Sequence, residues 1–321
     1  MVSSAKPVVC IVTPGTRSAN NGNWRTAARW AGMLRSRYQI ILQTQWDGAP
    51  ADAMIALHAK RSADSVAAFR RARPDGPIAV ILTGTDLYRD LPGNPEARRA
   101  LDLAGRIVTL QEDALRMLET AWREKARVIF QSARPLARRR KAADRVHCVM
   151  VGHLRAEKDP ATLFAAIARL PRELPITFRH IGAPLDPALG AAARELGARD
   201  PRYRYSGALP HGLARCAIAA AHLLVHPSRM EGGANVIVEA VTAGTPIIAS
   251  RVSGNVGMLG EDYRGYFAAG DASGLAECLV EACREPGYLE ALRAACARRK
   301  PLFDPRAEKK AVNALVAEML P

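Results

Sequence analysis

Short apolar runs alternate with amphipathic stretches along most of the 321-residue chain. The run at 78–83 is apolar almost throughout, as expected for a strand in a sheet that is covered on both faces. Helical patterns separate most of the runs, for example from about Trp24 to Tyr38. Together they predict a doubly wound α/β domain. The strands expected in it are 8–13, 40–44, 53–58, 78–83, 106–110 and 126–130.

The pattern stops at 132–145, which is rich in arginine and poor in apolar side chains, and then starts again. We therefore predict an N-terminal domain over 1–135, a linker over 136–145 and a C-terminal domain over 146–300. Two such domains predict a ligand cleft at the carboxyl ends of both sheets. The strands expected in the second domain are 147–152, 176–181, 203–206, 222–225, 246–249 and 265–267.

The charge of the chain is unevenly distributed. The formal net charge is +15, and residues 1–145 carry 25 Lys and Arg against 13 Asp and Glu. A basic first half favours an anionic partner, such as nucleic acid, a membrane surface or a phosphorylated small molecule, or is simply a solvated surface. Aromatic residues make up only 5% of the chain and no nucleic-acid module is recognisable, so nucleic-acid binding is a remote alternative.

Composition also argues against several other classes. No apolar stretch reaches the roughly 18 residues that a membrane span needs, and the first residues lack the pattern of a signal peptide, so we expect a cytoplasmic protein. The six cysteines are scattered and form no C-x-x-C pair, which favours buried free thiols over a disulfide framework or zinc site. No metal-binding motif is visible.

The segment most informative about chemistry is the glycine-rich loop after the strand expected at 222–225. Gly232 and Gly233 allow close approach of the backbone to a ligand. The helix expected from about Ala234 has free N–H groups at its N-terminus that point away from the helix, and such groups suit a pyrophosphate. Glu231 lies in the loop and Glu239 on an otherwise apolar helix, where a carboxylate is costly unless it is paired or binds something. Taken alone, the two glutamates would be ordinary solvated residues.

The stretch from Glu231 to Ser250 resembles the E-x7-E signature of the family 4 retaining glycosyltransferases. Val151–Lys158 is similar to that family's G-R-L-x-x-E-K element, and the sequence His-Pro-Ser at 226–228 also matches. The resemblance covers about 147–260 and implies a GT-B fold, in which two Rossmann-like doubly wound α/β domains face each other across a cleft. In similar proteins the final helix packs back on the N-terminal domain, and we expect the same of 301–321.

The resemblance also implies roles on the donor side. Glu231 would contact the donor sugar, Glu239 the ribose hydroxyls, and Lys158 the departing diphosphate. The family usually has Arg where this chain has His153, which would donate one bond and carry a pH-dependent charge, with Arg155 as compensation. Alternatively, His153 only caps a strand end. The remaining donor-side residues that the resemblance implies are Gly232, Gly233, Ala234 and Asn235 for the sugar and pyrophosphate, and Leu209 and His211 for the base.

Three loops of the first domain are candidates for an acceptor site. The first follows strand 8–13 and is either a cradle for a small anion or a solvated turn in which Asn23 caps the helix. The second carries His58 with Lys60 and Arg61, and the third carries Asp86. The residues that we assign to acceptor binding are Gly15, Arg17, Asn21, Gly22, Asn23, Arg25, Thr83 and Thr85.

These loops, together with 152–159, resemble a narrower group, the selenosugar synthases of selenoneine biosynthesis. This resemblance implies transfer of a sugar from a UDP-sugar, UDP-N-acetylglucosamine or UDP-glucose, to selenophosphate, with no cofactor. His58 and Asp86 are then candidates, with Glu231, for catalytic roles. The alternatives are a family 4 glycosyltransferase with a sugar, thiol or lipid acceptor, and a nucleotide-sugar epimerase of the same fold.

Overall fold

The computed structural model describes residues 5–16, 22–136, 141 and 144–320, and the chain divides into two compact units. One unit contains the chain up to Gln131 together with the segment from Asp304 onwards, and the other is Ser132–Phe303. The sequence placed the boundary near residue 135, close to the division between Gln131 and Ser132. The final segment is assigned to the first unit, although the chain reaches it only after completing the second.

The first unit is built on a parallel sheet. Its six strands among the described residues are β1 (Val8–Val12), β2 (Gln39–Gln43), β3 (Ala53–Leu57), β4 (Ile78–Ile81), β5 (Arg106–Thr109) and β6 (Ala126–Val128), in the order β2-β1-β3-β4-β5-β6. The α-helices described in this unit are α1 (Gly22–Leu34), α2 (Ala63–Ala72), α3 (Pro95–Leu103), α4 (Thr120–Glu124) and, from the end of the chain, α12 (Pro305–Met319).

Both faces of this sheet are covered, which explains why its central strands are apolar at every position. Successive side chains of a strand point to opposite faces. In β3, Met54 packs into the cluster formed with α2 and α3, whereas Ile55 packs into the cluster formed with α1 and α12. Every residue of β3 and β4 is buried as a result. The first helix ends at Leu34 rather than near Tyr38, because the chain turns there to enter β2.

The second unit repeats this architecture. Its six described strands are β7 (Val146–Val151), β8 (Ile176–Ile181), β9 (Tyr203–Tyr205), β10 (Leu223–His226), β11 (Ile247–Ser250) and β12 (Tyr266–Phe267), all parallel, in the order β12-β11-β10-β7-β8-β9. Its described α-helices are α5 (Pro160–Arg169), α6 (Pro187–Arg199), α7 (His211–Ala220), α8 (Asn235–Ala243), α9 (Ser253–Leu259), α10 (Ala272–Arg284) and α11 (Tyr288–Arg299). None of the helices within the described ranges is long and apolar enough to cross a membrane.

Four helices begin with the same local device, an Asn or Asp followed by proline. The side chain accepts a hydrogen bond from a backbone N–H in the first turn. Proline at the first helical position costs no hydrogen bond, because an N–H there has no partner within the helix. Asp159, for example, accepts from Thr162 N and starts α5. The other three pairs are Asn94-Pro95, Asp186-Pro187 and Asp304-Pro305.

A buried carboxylate fastens α12 to the first unit. Glu308 is 2% exposed and accepts hydrogen bonds from Arg29 Nε, at 2.9 and 3.0 Å, and from Trp30 Nε1, at 2.8 Å. Arg29 also donates to Gln131 Oε1 at 3.2 Å. The apolar side of α12 packs beside this network, with Val312 and Val316 in the same core cluster as Trp30. The last helix is therefore part of the core of the first unit.

We expect Glu308→Ala to lower the free energy of unfolding by about 2–4 kcal/mol, because it leaves Arg29 and Trp30 without their buried acceptor. Glu318→Ala on the same helix is the matched control, since Glu318 pairs with Arg106 and Arg127 at the surface and should cost less than about 1 kcal/mol. Urea denaturation of both variants measures the difference. Equal decreases in the free energy of unfolding in both variants would show that the contacts of Glu308 do not hold α12 in place.

Candidate functional site

The strand order of each sheet marks one place where a ligand is expected to bind. In parallel α/β sheets, ligands bind beyond the carboxyl ends of two neighbouring strands whose connections run in opposite directions. In the second sheet these strands are β7 and β10, and the loops that follow them carry 152–159 and 227–234. In the first sheet they are β1 and β3, followed by 13–21 and 58–62. The loops that carry Lys158, Glu231 and His58, and the loop after β1, thus follow the strands at the switch points, whereas the candidate loop with Asp86 follows β4.

Glu231 lies at the centre of the candidate site in the second unit. Its Oε1 is 2.5 Å from Lys158 Nζ, which comes from the loop after β7. His226, at the end of β10, places Nε2 3.1 Å from the same oxygen, although the ring is not aligned for a hydrogen bond. The site therefore holds a carboxylate against a cation and an imidazole supplied by two adjacent strands.

The ionisation of Glu231 depends on these neighbours. Its side chain is only 8% exposed, and burial alone would raise the pKa of the carboxyl group. Lys158 and His226 together outweigh the burial and hold the pKa of Glu231 well below its usual range. The carboxylate is therefore charged at neutral pH, and its oxygens can accept hydrogen bonds from ligand hydroxyl groups.

Further contacts hold the loops after β7 and β10 together. The backbone N–H of Arg229 donates to Glu157 O at 2.9 Å, and Arg229 Nε lies 2.8 Å from Asp159 Oδ2. On the other side, Gly254 at the start of α9 packs against the backbone of Glu231. A Cβ added at Gly254 would lie 1.8 Å from Glu231 O, so only glycine fits without movement of the loop.

The start of α8 has the properties of an anion site. Among the described residues no side chain caps α8, as is also the case for α2, α4, α7, α9 and α11, whereas an aspartate or asparagine caps α3, α5, α6, α10 and α12. Gly233, Ala234 and Asn235 form the approach to its first turn. In the same loop, Ser228 Oγ is buried without a hydrogen-bond partner among the described groups. Buried hydroxyl groups without a partner are unusual in proteins, and helix N-termini favour anions.

Glu239 lies one turn into α8 and is paired with His211. His211 Nε2 is 2.5 Å from Glu239 Oε1, and the carboxylate is buried whereas the imidazole is partly exposed. His211 is the first residue of α7, and Leu209 lies just before it and is half-buried. The structure thus brings together Glu239, His211 and Leu209, which the sequence assigned to the nucleoside. A ribose hydroxyl that binds Glu239 would share or replace the contact with His211.

His153 and Arg155 occupy the loop between β7 and Lys158. His153 Nδ1 accepts a hydrogen bond from the backbone N–H of Ala183 at 3.0 Å, so the ring is anchored to the end of β8. Arg155 is exposed, with Nε 3.8 Å from Glu157 Oε2. Gly152 packs against the stem of Lys158, since a Cβ at this position would lie 3.6 Å from Lys158 Cγ.

The candidate residues of the first unit form a separate cluster around His58. This residue follows β3 with a left-handed φ of 72°, which is unusual for a residue other than glycine. Its Nδ1 accepts from the backbone N–H of Arg61 at 3.4 Å, so the ring proton is on Nε2 and is donated to Thr85 Oγ1 at 3.0 Å. Because burial outweighs the nearby Asp86 and Asp90, the pKa of His58 is lowered.

Asp86 lies too deep in the protein to contact a substrate. It is fully buried, and its oxygens accept hydrogen bonds from the backbone N–H groups of Ala59, Thr83 and Gly84 at 2.8–3.2 Å. The carboxylate thereby ties the loop after β3 to the loop after β4. His58 itself is 2% exposed, and solvent reaches the half-buried Thr83 and Thr85 and the exposed Lys60 and Arg61.

The loop after β1 is described only in part. Gly15 is buried, Gly22 is the first residue of α1, and Asn23 and Arg25 are half-buried in its first turn. Arg17 and Asn21, which the sequence assigned to the acceptor, lie outside the described residues. Within the described ranges, no group of three or more His, Cys, Asp or Glu side chains is placed to hold a metal ion.

Three residues near the donor-side loops were missed by sequence reasoning. His226 was expected to follow a strand over 222–225, but β10 runs one residue further and buries its ring beside Glu231. Its place in the His-Pro-Ser motif could have indicated a role. Gly254 and His180 carry no local signal. His180 is fully buried, accepts a hydrogen bond from Tyr203 O–H at Nδ1, and places Nε2 3.3 Å from Gly152 O.

Comparisons with known proteins agree with this description of the fold. Residues 145–285 match the family model of the group 1 glycosyl transferases. Sucrose-phosphate synthase from Thermosynechococcus elongatus is 15% identical, with a TM-score of 0.76 over 98% of this chain and 99% of that one. Anabaena HepE, solved in complex with UDP and glucose, is 16% identical, with a TM-score of 0.74 over 97% of this chain and all of that one.

A glycosyltransferase from Rickettsia africae is 13% identical and has a TM-score of 0.74, over 98% of this chain and 99% of that one. No curated protein matches the sequence. These likenesses confirm the predicted fold class, two parallel-sheet α/β domains of the GT-B type.

The buried His180 predicts how stability depends on pH. Burial lowers its pKa to about 4, against about 6.5 in the unfolded chain. Between pH 6.5 and 4 the unfolded chain binds a proton that the folded state excludes, so stability is full above pH 6.5 and falls as the pH drops through this window. The loss is on the order of 3 kcal/mol.

His180→Gln should remove that dependence while keeping a donor for Gly152 O. Denaturation curves at pH 7, 6, 5 and 4 measure it. The difference in free energy of unfolding between wild type and variant should narrow steadily towards pH 4. If the two free energies change in parallel with pH, the lowered pKa of His180 is contradicted.

Proposed function

We propose that the protein is a glycosyltransferase that moves a sugar from a UDP-sugar, UDP-N-acetylglucosamine or UDP-glucose, to selenophosphate. The observation that carries the donor half of this proposal is the ionised Glu231, held between Lys158 and His226 beside the uncapped start of α8. The acceptor half rests on the resemblance of the loops to selenosugar synthases. A cytoplasmic location and the lack of a cofactor stay predictions from the sequence.

The donor would bind along the carboxyl edge of the second sheet. In this proposal the sugar hydroxyls contact Glu231, the diphosphate lies over the start of α8, and the ribose reaches Glu239. The group 1 glycosyl transferase match over 145–285 includes all three elements, and the similar Anabaena protein was solved with UDP and glucose. An ionised carboxylate is a strong acceptor for sugar hydroxyls, and helix N-terminal N–H groups favour phosphate.

Lys158 would change partners during the reaction. In the absence of donor it neutralises Glu231, and its side chain is 20% exposed. When the bond between the sugar and the diphosphate breaks, negative charge develops on the β-phosphate. A lysine beside that oxygen stabilises the transition state more than the ground state, as catalysis requires. Arg155, exposed in the same loop, would add a second cation.

The acceptor would bind at the loops of the first unit. Selenophosphate is a small anion, and the residues around His58 present the exposed Lys60, whose Nζ is 3.6 Å from Asp90. His58 donates to Thr85 Oγ1, so the Thr85 hydroxyl proton is left to donate to an acceptor oxygen. We assign contact with the anion to Thr83, Thr85 and Lys60. His58 and Asp86 are positioning residues.

The proposed chemistry balances without a redox step. Selenium attacks the anomeric carbon, the bond between this carbon and the β-phosphate oxygen breaks, and UDP leaves with the electron pair. Water then cleaves the selenium–phosphorus bond, which gives the 1-selenosugar and inorganic phosphate. Because selenophosphate is already an anion, the attack needs no strong general base.

We expect the protein to convert UDP-N-acetylglucosamine or UDP-glucose and selenophosphate into a selenosugar and UDP, as measured by mass spectrometry. Glu231→Gln should lower turnover about 100-fold or more, because the charged acceptor for the sugar is lost. Glu285→Gln is the matched control, since this glutamate pairs with Arg264 at the surface of the same unit, and it should keep wild-type turnover.

Parallel reactions with thiophosphate and orthophosphate test the acceptor. If selenophosphate and thiophosphate support no release of UDP but a sugar or thiol does, the proposed acceptor is wrong and the proposed glycosyltransferase activity stands. No binding or turnover of any UDP-sugar would overturn the whole proposal. Turnover that survives in Glu231→Gln would remove this residue from the donor site.

A further inference from the structure

Two basic side chains lie against one oxygen of Glu231, and only one of them is hydrogen-bonded to it. Lys158 Nζ donates to Oε1 at 2.5 Å. His226 Nε2 lies 3.1 Å from the same oxygen, but without the alignment of a hydrogen bond. The His226 side chain is only 4% exposed, and buried polar atoms in proteins nearly always have a partner. This unused position beside the carboxylate is the observation from which the inference starts.

The two basic groups differ in their freedom to move. Lys158 lies in the loop after β7, has a long flexible side chain and is 20% exposed. His226 is the last residue of β10, where it is paired with Ala249 of β11, and its ring is buried. When Lys158 turns away from Glu231, His226 therefore stays where it is, beside the carboxylate.

The other charged groups of the neighbouring loops and of α8 are paired with one another. The pairs are Arg229 with Asp159, Arg155 with Glu157, and His211 with Glu239. Among the described carboxylates, Glu231 is the one within 4.0 Å of the His226 ring, and Lys158 and His226 are the two basic groups within 4.0 Å of Glu231. Without Lys158, the positive charge nearest to Glu231 has to come from His226.

A buried carboxylate that loses its counter-charge is strongly destabilised. The imidazole is the group that can restore this charge, because histidine gains a proton near neutral pH more readily than any other side chain. An imidazolium also has N–H groups on both ring nitrogens, so Nε2–H can donate to Glu231 Oε1 after a small rotation of the ring. The hydrogen bond from Lys158 is then replaced by one of the same charge type.

We infer that His226 takes up a proton from solvent when a nucleotide sugar binds and Lys158 turns to its diphosphate, so that an imidazolium replaces the ammonium beside Glu231. This inference rests on the proposed function, in which Lys158 contacts the departing diphosphate. When UDP leaves, Lys158 returns to Glu231 and the imidazolium releases its proton, so one turnover has no net effect on protons here. His226 is thus a positioning residue, which keeps Glu231 charged and in place for the sugar.

Proton uptake is measured by calorimetric titration with UDP-glucose and UDP-N-acetylglucosamine at pH 7.5, in buffers that differ in ionisation enthalpy. The diphosphate of a nucleotide sugar is a diester and has no proton to lose at this pH, so any uptake belongs to the protein. We expect uptake of about 0.5 to 1 proton for each nucleotide sugar that binds. Binding without uptake, or with release of protons, would overturn the inference.

Two histidine substitutions assign the proton. His226→Asn keeps an N–H donor beside Glu231 but cannot be charged, so uptake should disappear and binding should weaken about 10-fold. His222→Asn is the matched control directly before the same strand, where Oδ1 can replace Nδ1 as the acceptor for the backbone N–H of His147. It should take up protons like wild type. Uptake that persists in His226→Asn would assign the proton to another group and contradict the role of His226.

The replacement of Lys158 by His226 is also tested without any nucleotide. Lys158→Met removes the ammonium group and keeps most of the length of the side chain. In 15N NMR of the histidine-labelled protein, with His226→Asn identifying the signal, the His226 ring should carry more charge between pH 6 and 8 in Lys158→Met than in wild type. An identical titration in both proteins would overturn the inference.

The two experiments distinguish this inference from the proposed function. If the His226 titration responds to Lys158→Met but no nucleotide sugar binds, the proposed function fails and the coupling between the two side chains stands. If nucleotide sugars bind and turn over without proton uptake, the glycosyltransferase stands and the role of His226 is wrong.

Discussion

The ion pair between Glu231 and Lys158 is the contact on which the geometry of the second unit's candidate site depends. A carboxylate that is 8% exposed would be strongly destabilising without a partner, and its partner comes from a different loop. The pair therefore fixes the spacing of the loops after β7 and β10. Arg229 strengthens the same junction through Glu157 and Asp159, and the close contact of Gly254 with the Glu231 backbone limits movement on the other side.

Both carboxylates of the candidate site are already paired within the protein. Glu231 and Glu239 each have a basic partner, Lys158 and His211, that a sugar or a phosphate could replace. Binding of a nucleotide sugar would then exchange internal contacts for contacts with the ligand. Such an exchange costs less than burying new charges, because the two carboxylates are already buried in the protein. The start of α8 adds N–H groups without adding charge.

The first unit uses similar means for a different purpose. The buried carboxylate of Asp86 accepts hydrogen bonds from backbone N–H groups of two loops, and the ring of His58 is hydrogen-bonded to Thr85 and Arg61. Both side chains shape the loops, and neither is open to solvent. In the same unit, Glu308 holds the last helix in the core, so the first unit is complete only when the second has been made.

Local patterns in the sequence account for most of the fold. The apolar run at 78–83 predicts a strand covered on both faces, and Asp304-Pro305 predicts the start of the last helix, because both signals act within a few residues. The contacts of the site could not be predicted in this way. Lys158 and Glu231 are 73 residues apart in the chain, and only the order of the strands brings them together. The buried positions of His58 and Asp86 likewise depend on packing that no short segment encodes.

Hydrogen–deuterium exchange with and without UDP tests most directly whether the carboxyl edge of the second sheet binds the nucleotide. We expect slower exchange in 152–158, 209–212 and 231–239, with no comparable change in 271–299 on the helices α10 and α11. Protection confined to the first unit, or absent at saturating UDP, would contradict it.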